Sequence, residues 1–162
     1  MSDETYLVTA EQIDAMQGLA KTHFQNANAK RINKSLGDLT GLTGLGIHII
    51  EVEPGCETTE YHVHYFEDEA VYVLSGTATA EIGEDTFQIK PGDFIGYRKG
   101  GKAHTITNTG DSTFRCLVIG QRLDQDVADY PRKGQRIYRN AGMPWDLADL
   151  DKLSHPQAGA KK

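Results

Sequence analysis

The stretch Gly55-Cys-Glu-Thr-Thr-Glu-Tyr-His62-Val-His64-Tyr-Phe-Glu-Asp-Glu69-Ala-Val-Tyr-Val-Leu-Ser-Gly76 decides the reading of this chain. Side chains in a strand alternate between two faces, so His62 and His64 share one face. Glu69 follows after a short turn, on a face with Val71 and Val73. Further on, His104 opens another strand-like run and shares a face with Ile106 and Asn108. Three imidazoles and one carboxylate make a borderline nitrogen and oxygen donor set, suited to a divalent transition metal. A lone histidine in a strand is usually a packed or exposed residue. The pair, the glutamate and the distant histidine together, each framed by glycine turns, point instead to one metal site. Spacing favours Glu69 as the carboxylate, and Glu67 has the same parity but falls in the turn.

Outward from this stretch the chain is almost all strand-like, at 46–53, 61–65, 70–74, 77–82, 86–89, 94–97, 104–107 and 113–119. Pro54-Gly55, Ser75-Gly76, Pro91-Gly92 and Gly100-Gly101 are among the turn signals between them. Eight short strands at such spacing indicate a sandwich or barrel and exclude a βαβ fold.

The stretch 55–76 resembles the first cupin motif, G-x5-HxH-x4-E-x6-G, with one extra residue before the first histidine. Gly101-Lys-Ala-His104-Thr-Ile-Thr-Asn108 resembles the second half of the second motif, with Lys99 where a proline is expected. The resemblance implies an all-β fold, a double-stranded β-helix or jelly-roll barrel. It also implies His62, His64, Glu69 and His104 as ligands to one divalent ion (Zn, Mn, Fe, Ni or Co). Ala128-Asp129-Tyr130-Pro131 and Pro144-Trp145-Asp146 are similar to small bacterial cupins of the mannose-6-phosphate-isomerase-like group. The barrel is expected over 45–121, between an arm (1–44) and a C-terminal extension (122–162) that packs on it. In the arm, a short helix is expected from Thr9, with Thr9 and Gln12 as a capping box. Residues 26–44 read as loop or extended arm. The tail reads as irregular, with one further strand, and disordered from His155 onward.

A chain of 162 residues with net charge −6 suits one globular domain and disfavours nucleic acid and anionic membranes as partners. No apolar run is long enough to span a bilayer. The acidic start, Met1-Ser2-Asp3-Glu4, lacks a hydrophobic core after it, so a cytoplasmic location is expected, with Cys56 and Cys116 as free thiols.

Three functions compete. One is isomerisation or epimerisation of a small sugar, sugar phosphate or hydroxy-carbonyl compound. Glu60 would move the proton, if alternation carries it inward from His62, and Arg98, Lys99 or Lys102 would hold an anion. A second is a non-haem iron oxygenase of a small organic acid, and a third is a non-catalytic barrel that binds a small molecule. His48 is expected to pack unless its face is inward, and His23 and His155 to stand outside the site. The resemblance and the long ends suggest a homodimer.

Overall fold

The computed structural model describes residues 5–159. A short helix α1 (Ala10–Ala15) precedes β1 (Leu19–His23) and β2 (Asn26–Ser35), then one turn of helix, α2 (Leu36–Leu39). Next come β3 (Leu45–Val52), β4 (Val63–His64), β5 (Glu69–Ser75), β6 (Ala78–Ile82), β7 (Asp85–Ile89), β8 (Phe94–Tyr97), β9 (His104–Thr107) and β10 (Phe114–Gln121). The tail adds β11 (Gln125–Tyr130), β12 (Gln135–Asn140) and β13 (Asp146–Asp149). All pairings are antiparallel, in three sheets ordered β1-β2-β3-β10-β5-β8, β13-β12-β11-β4 and β7-β6-β9.

The core lies between the six-stranded and three-stranded sheets, where Val52, Val71, Val73 and Phe114 meet Ala78, Ala80 and Ile106. Alternation sets the facing: Val71 and Val73 are buried, while Tyr72 and Leu74 between them are exposed. Register then places Glu69 beside Tyr97 and His48 beside Val118. Gly76 has φ 77°, and a Cβ there would stand 2.7 Å from the Thr113 carbonyl oxygen, so the motif glycine is required twice over. Asn108 is fully buried. Its amide donates to the Val52 and Ser112 carbonyls and its Oδ1 accepts from the Gly110 N–H, pinning two loops.

The β-barrel reading holds, as does the capping box: Thr9 Oγ1 accepts from Gln12 N, and Gln12 Oε1 accepts from Thr9 N. The ends differ from expectation. Residues 26–35, read as loop or arm, form the ten-residue strand β2, paired to β3. The tail supplies three strands rather than a single further one. By contrast 61–65 shrinks to the two-residue β4, with His62 held by an isolated bridge to His104. The acidic start, and part of the stretch from His155 onward, lie outside the described residues. Both cysteines are free, Cys116 buried and Cys56 partly so. Among the described residues no helix is long and apolar enough to cross a membrane.

Candidate metal centre

His62, His64, Glu69 and His104 converge at the inner end of the barrel. Each imidazole is turned by a bond to its Nδ1. His62 Nδ1 lies 2.8 Å from the Glu60 carbonyl, and His104 Nδ1 lies 3.3 Å from the Lys102 carbonyl. A carbonyl only accepts, so both rings carry their proton on Nδ1 and present the Nε2 lone pair. His64 Nδ1 stands 2.6 Å from Asp126 Oδ2, which sets the same tautomer. Glu69 Oε2 lies 3.8 Å from His62 Nε2 and 3.7 Å from His64 Nε2. Ligand atoms of His62, Glu69 and His104 all fall within 4.8 Å of one another. Two donors each ~2.1 Å from a shared ion stand ~3 to 3.5 Å apart, so small adjustments would suffice. His104 Nε2 is buried with no hydrogen-bond partner, an unsatisfied lone pair that an ion would fill. The donor set fits a divalent transition metal.

Electrostatics agree. Burial, then the neighbouring His62, brings His104 down to about 4, so it is neutral at pH 7 and ready to ligate. Burial alone would raise Glu69, but His62, His104 and His64 around it hold it at about 2. Tyr97 stacks flat on His104, ring centroids 3.5 Å apart and 3° from parallel, fixing that ring from behind. Burial keeps its phenol protonated, well above the ordinary range.

A second layer holds the first. Arg139 donates to Asp126 Oδ2 at 3.0 Å and pairs with Glu67, which also accepts from the Leu123 N–H. Glu67 is thereby committed to Arg139, and Glu69 is the carboxylate that meets the imidazoles. The second acid-rich group, His64, Glu67 and Asp126, is already filled by the Arg139 guanidinium. Burial depresses His64, but the Asp126 bond and then the charge of Glu69 raise it overall above 6.5. Asp126 is raised by burial and lowered more by His64 and Arg139, ending below 3.8. The pair therefore stabilises the metal-free fold below the unfolded histidine value of 6.5, and this is lost as pH rises through the folded one. The Asp126 contribution is present above 3.8 and lost as pH falls through its depressed value. Chelated protein is expected to be most stable between those limits in urea titrations against pH. Metal-loaded protein is expected to shift that optimum upward, because loading displaces protons from His64.

His62, His64 and Glu69 line a cavity of about 440 Å³. Lys21, His23, Arg31 and Asn33 reach it from β1 and β2, His48 from β3, and Tyr130, Arg139 and Trp145 from the tail. His48 faces inward, with Nδ1 3.2 Å from the Asn33 amide nitrogen. His23 stacks on Phe24 and meets Tyr130 edge-on, and burial brings it to about 4. Both histidines thus stand in the cavity, His48 because its face is inward and His23 against expectation. Their signal was parity on strands that line a polar space.

Glu60, Arg98, Lys99 and Lys102 do not line the cavity. Thr58 is buried and lines a smaller inner compartment. Glu60 is buried, but its carboxyl lies within electrostatic reach of Tyr130 and Arg132 and outside both cavity walls. The reason is local: 57 and 62 sit in separate isolated bridges, and the chain between them is no continuous strand. Arg98, Lys99 and Lys102 are exposed and do not line the cavity. Lys102 pairs with Asp85 at 2.8 Å, and the Lys99 N–H is bonded to Asp68. The arginines that do reach the cavity are Arg31 and Arg139.

Residues 48–120 match the family described as the cupin domain. A solved structure from Acidithiobacillus ferrooxidans, a protein provisionally named a sugar phosphate isomerase, is 52% identical, with TM-score 0.91 over 94% of this chain and 97% of that one. Another, named a sugar phosphate isomerase from a cupin superfamily and coming from Silicibacter pomeroyi, is 25% identical, with TM-score 0.78 over 90% of this chain and 97% of that one. This chain belongs to the cupin superfamily. No curated protein matches it.

Proposed function

We propose that the protein is a metal-dependent isomerase of a small sugar phosphate. The observation that carries this is the cavity itself: a histidine and glutamate cluster at its floor, with Lys21, Arg31 and Arg139 in its wall. Its volume is in the range for small-molecule sites. The names of the two similar proteins support the substrate class. A divalent ion on His62, His64, Glu69 and His104 would supply Lewis acidity to a carbonyl oxygen. Lys21 and Arg139 draw the phosphate and orient the sugar.

His48 takes a proton from the carbon beside the carbonyl and returns it to the neighbouring carbon. Burial, then Arg122 and Lys21, keep its imidazole below 6.5 and so neutral at pH 7. Turnover is then expected to rise with pH through a value below 6.5 and to be level by neutrality. His48→Gln is expected to lower kcat by about 10² to 10⁴ with metal content unchanged. Wild-type turnover in that variant would remove His48 from the mechanism. The reading as a whole is tested by following aldose and ketose phosphates by NMR with metal-loaded protein. No interconversion across the panel would overturn it.

A further inference from the structure

Behind the metal centre lies a second, much smaller compartment of about 40 Å³. Its wall includes Arg31, Glu69, Tyr97 and His104, with Val71, Ile106 and Val118 among its apolar members. Three buried polar atoms in the molecule's interior lack a hydrogen-bond partner and belong to this same wall: Arg31 Nε, Tyr97 Oη and His104 Nε2. The metal reading accounts for His104 Nε2. It does not account for the other two.

Unsatisfied buried donors are rare because each forfeits the hydrogen bonds it made with water. Arg31 is the sharper case. Its Nη1 donates to the Thr58 carbonyl at 2.5 Å, so the guanidinium is anchored rather than loose. Among the described residues no carboxylate lies within ion-pair distance of it, although Glu69 is within electrostatic reach. A guanidinium donates and never accepts, and a tyrosine hydroxyl can donate. Two donors thus belong to side chains that line a space for one or two atoms of oxygen size. What satisfies both is an acceptor, and an ionised one best.

We propose that this compartment is an oxyanion subsite, where Arg31 Nε–H and Tyr97 O–H grip one ionised oxygen of a ligand that also reaches the metal centre. The ligand class is a small oxyanion, either a carboxylate or a hydroxy-carbonyl compound whose oxygen gains charge as a proton leaves the adjacent carbon. In the latter form the assignment rests on the isomerase reading and deepens it. Tyr97 and Arg31 then bind the oxygen on which charge develops, which stabilises that state more than the ground state.

Tyr97→Phe tests this, since it deletes the hydroxyl and keeps the ring that stacks on His104. Wild type and variant are loaded with metal, assayed for metal content, and titrated with formate by calorimetry. Equal metal content with formate binding at least about 10-fold weaker in the variant is the expected result, the loss of one hydrogen bond to a charged group. Arg31→Lys, which keeps the charge but not the fork, is expected to weaken formate similarly. Equal formate affinity in wild type and Tyr97→Phe would overturn the subsite, whatever the enzyme turns over. Weakened formate binding in a protein that isomerises no sugar phosphate would keep the subsite and discard the isomerase.

Discussion

His62→Ala/His104→Ala is expected to carry no metal above background, where the wild type carries about one divalent ion per chain by elemental analysis. These two imidazoles come from segments that touch through an isolated backbone bridge, His62 N donating to the His104 carbonyl at 3.1 Å and His104 N to the His62 carbonyl at 2.8 Å. The bridge uses no side-chain atom, so the double variant keeps the backbone that brings the two segments together. What it loses is half of the donors. Structural sites with four ligands bind zinc by about 10 to 16 kcal/mol, so losing two ligands weakens binding by at least about 10³-fold. Tyr97 also loses the ring it stacks on, and modest thermal destabilisation is expected. Circular dichroism separates this from unfolding. Undiminished metal in a folded double variant would place the ion elsewhere and remove the basis of the proposed chemistry.

Asp126→Ala is expected to act on affinity and stability together. Asp126 is not itself a proposed ligand, yet its side chain is fully buried and serves three donors: His64 Nδ1, Arg139 Nη2 and the Phe66 N–H. Without it His64 loses the bond that sets its tautomer and turns Nε2 inward. Second-layer losses of this kind weaken metal binding about 10 to 100-fold. The same change leaves Arg139 with one carboxylate rather than two and strands the part-buried Phe66 N–H, for about 3 kcal/mol in urea unfolding of the chelated protein. Unchanged metal affinity with lowered stability would reduce Asp126 to a structural role.

The candidate ligand set was legible because its chemistry restricts residue type and strand parity restricts position. His62, His64, Glu69 and His104 could be named from spacing, and Asn108 found its carbonyls. The cavity wall was not. Strand β2 carries Arg31 and Asn33 inward, so hydrophobic alternation, the signal by which a strand is recognised, is missing where the strand faces a polar space. The basic run Arg98 to Lys102 misled for the converse reason. Charges beside a motif residue are conspicuous in sequence, but these point into water and are partly spent on Asp85. Glu60 is buried but lines neither cavity, because parity counting assumes an unbroken strand, and 58–61 is not one.

The family match ends at residues 48 and 120, while Lys21, His23, Arg31, Tyr130, Arg139 and Trp145 lie beyond it on either side. The candidate ligands and most of the cavity wall are therefore inherited on separate stretches of polypeptide. A lineage can keep every motif residue, together with Arg31, Asp126 and Arg139, and still change its reagent by drift elsewhere in the two flanking ribbons. Relatives that agree across the barrel but diverge in β1, β2 and β12 are expected to share a reaction type and differ in what they act upon.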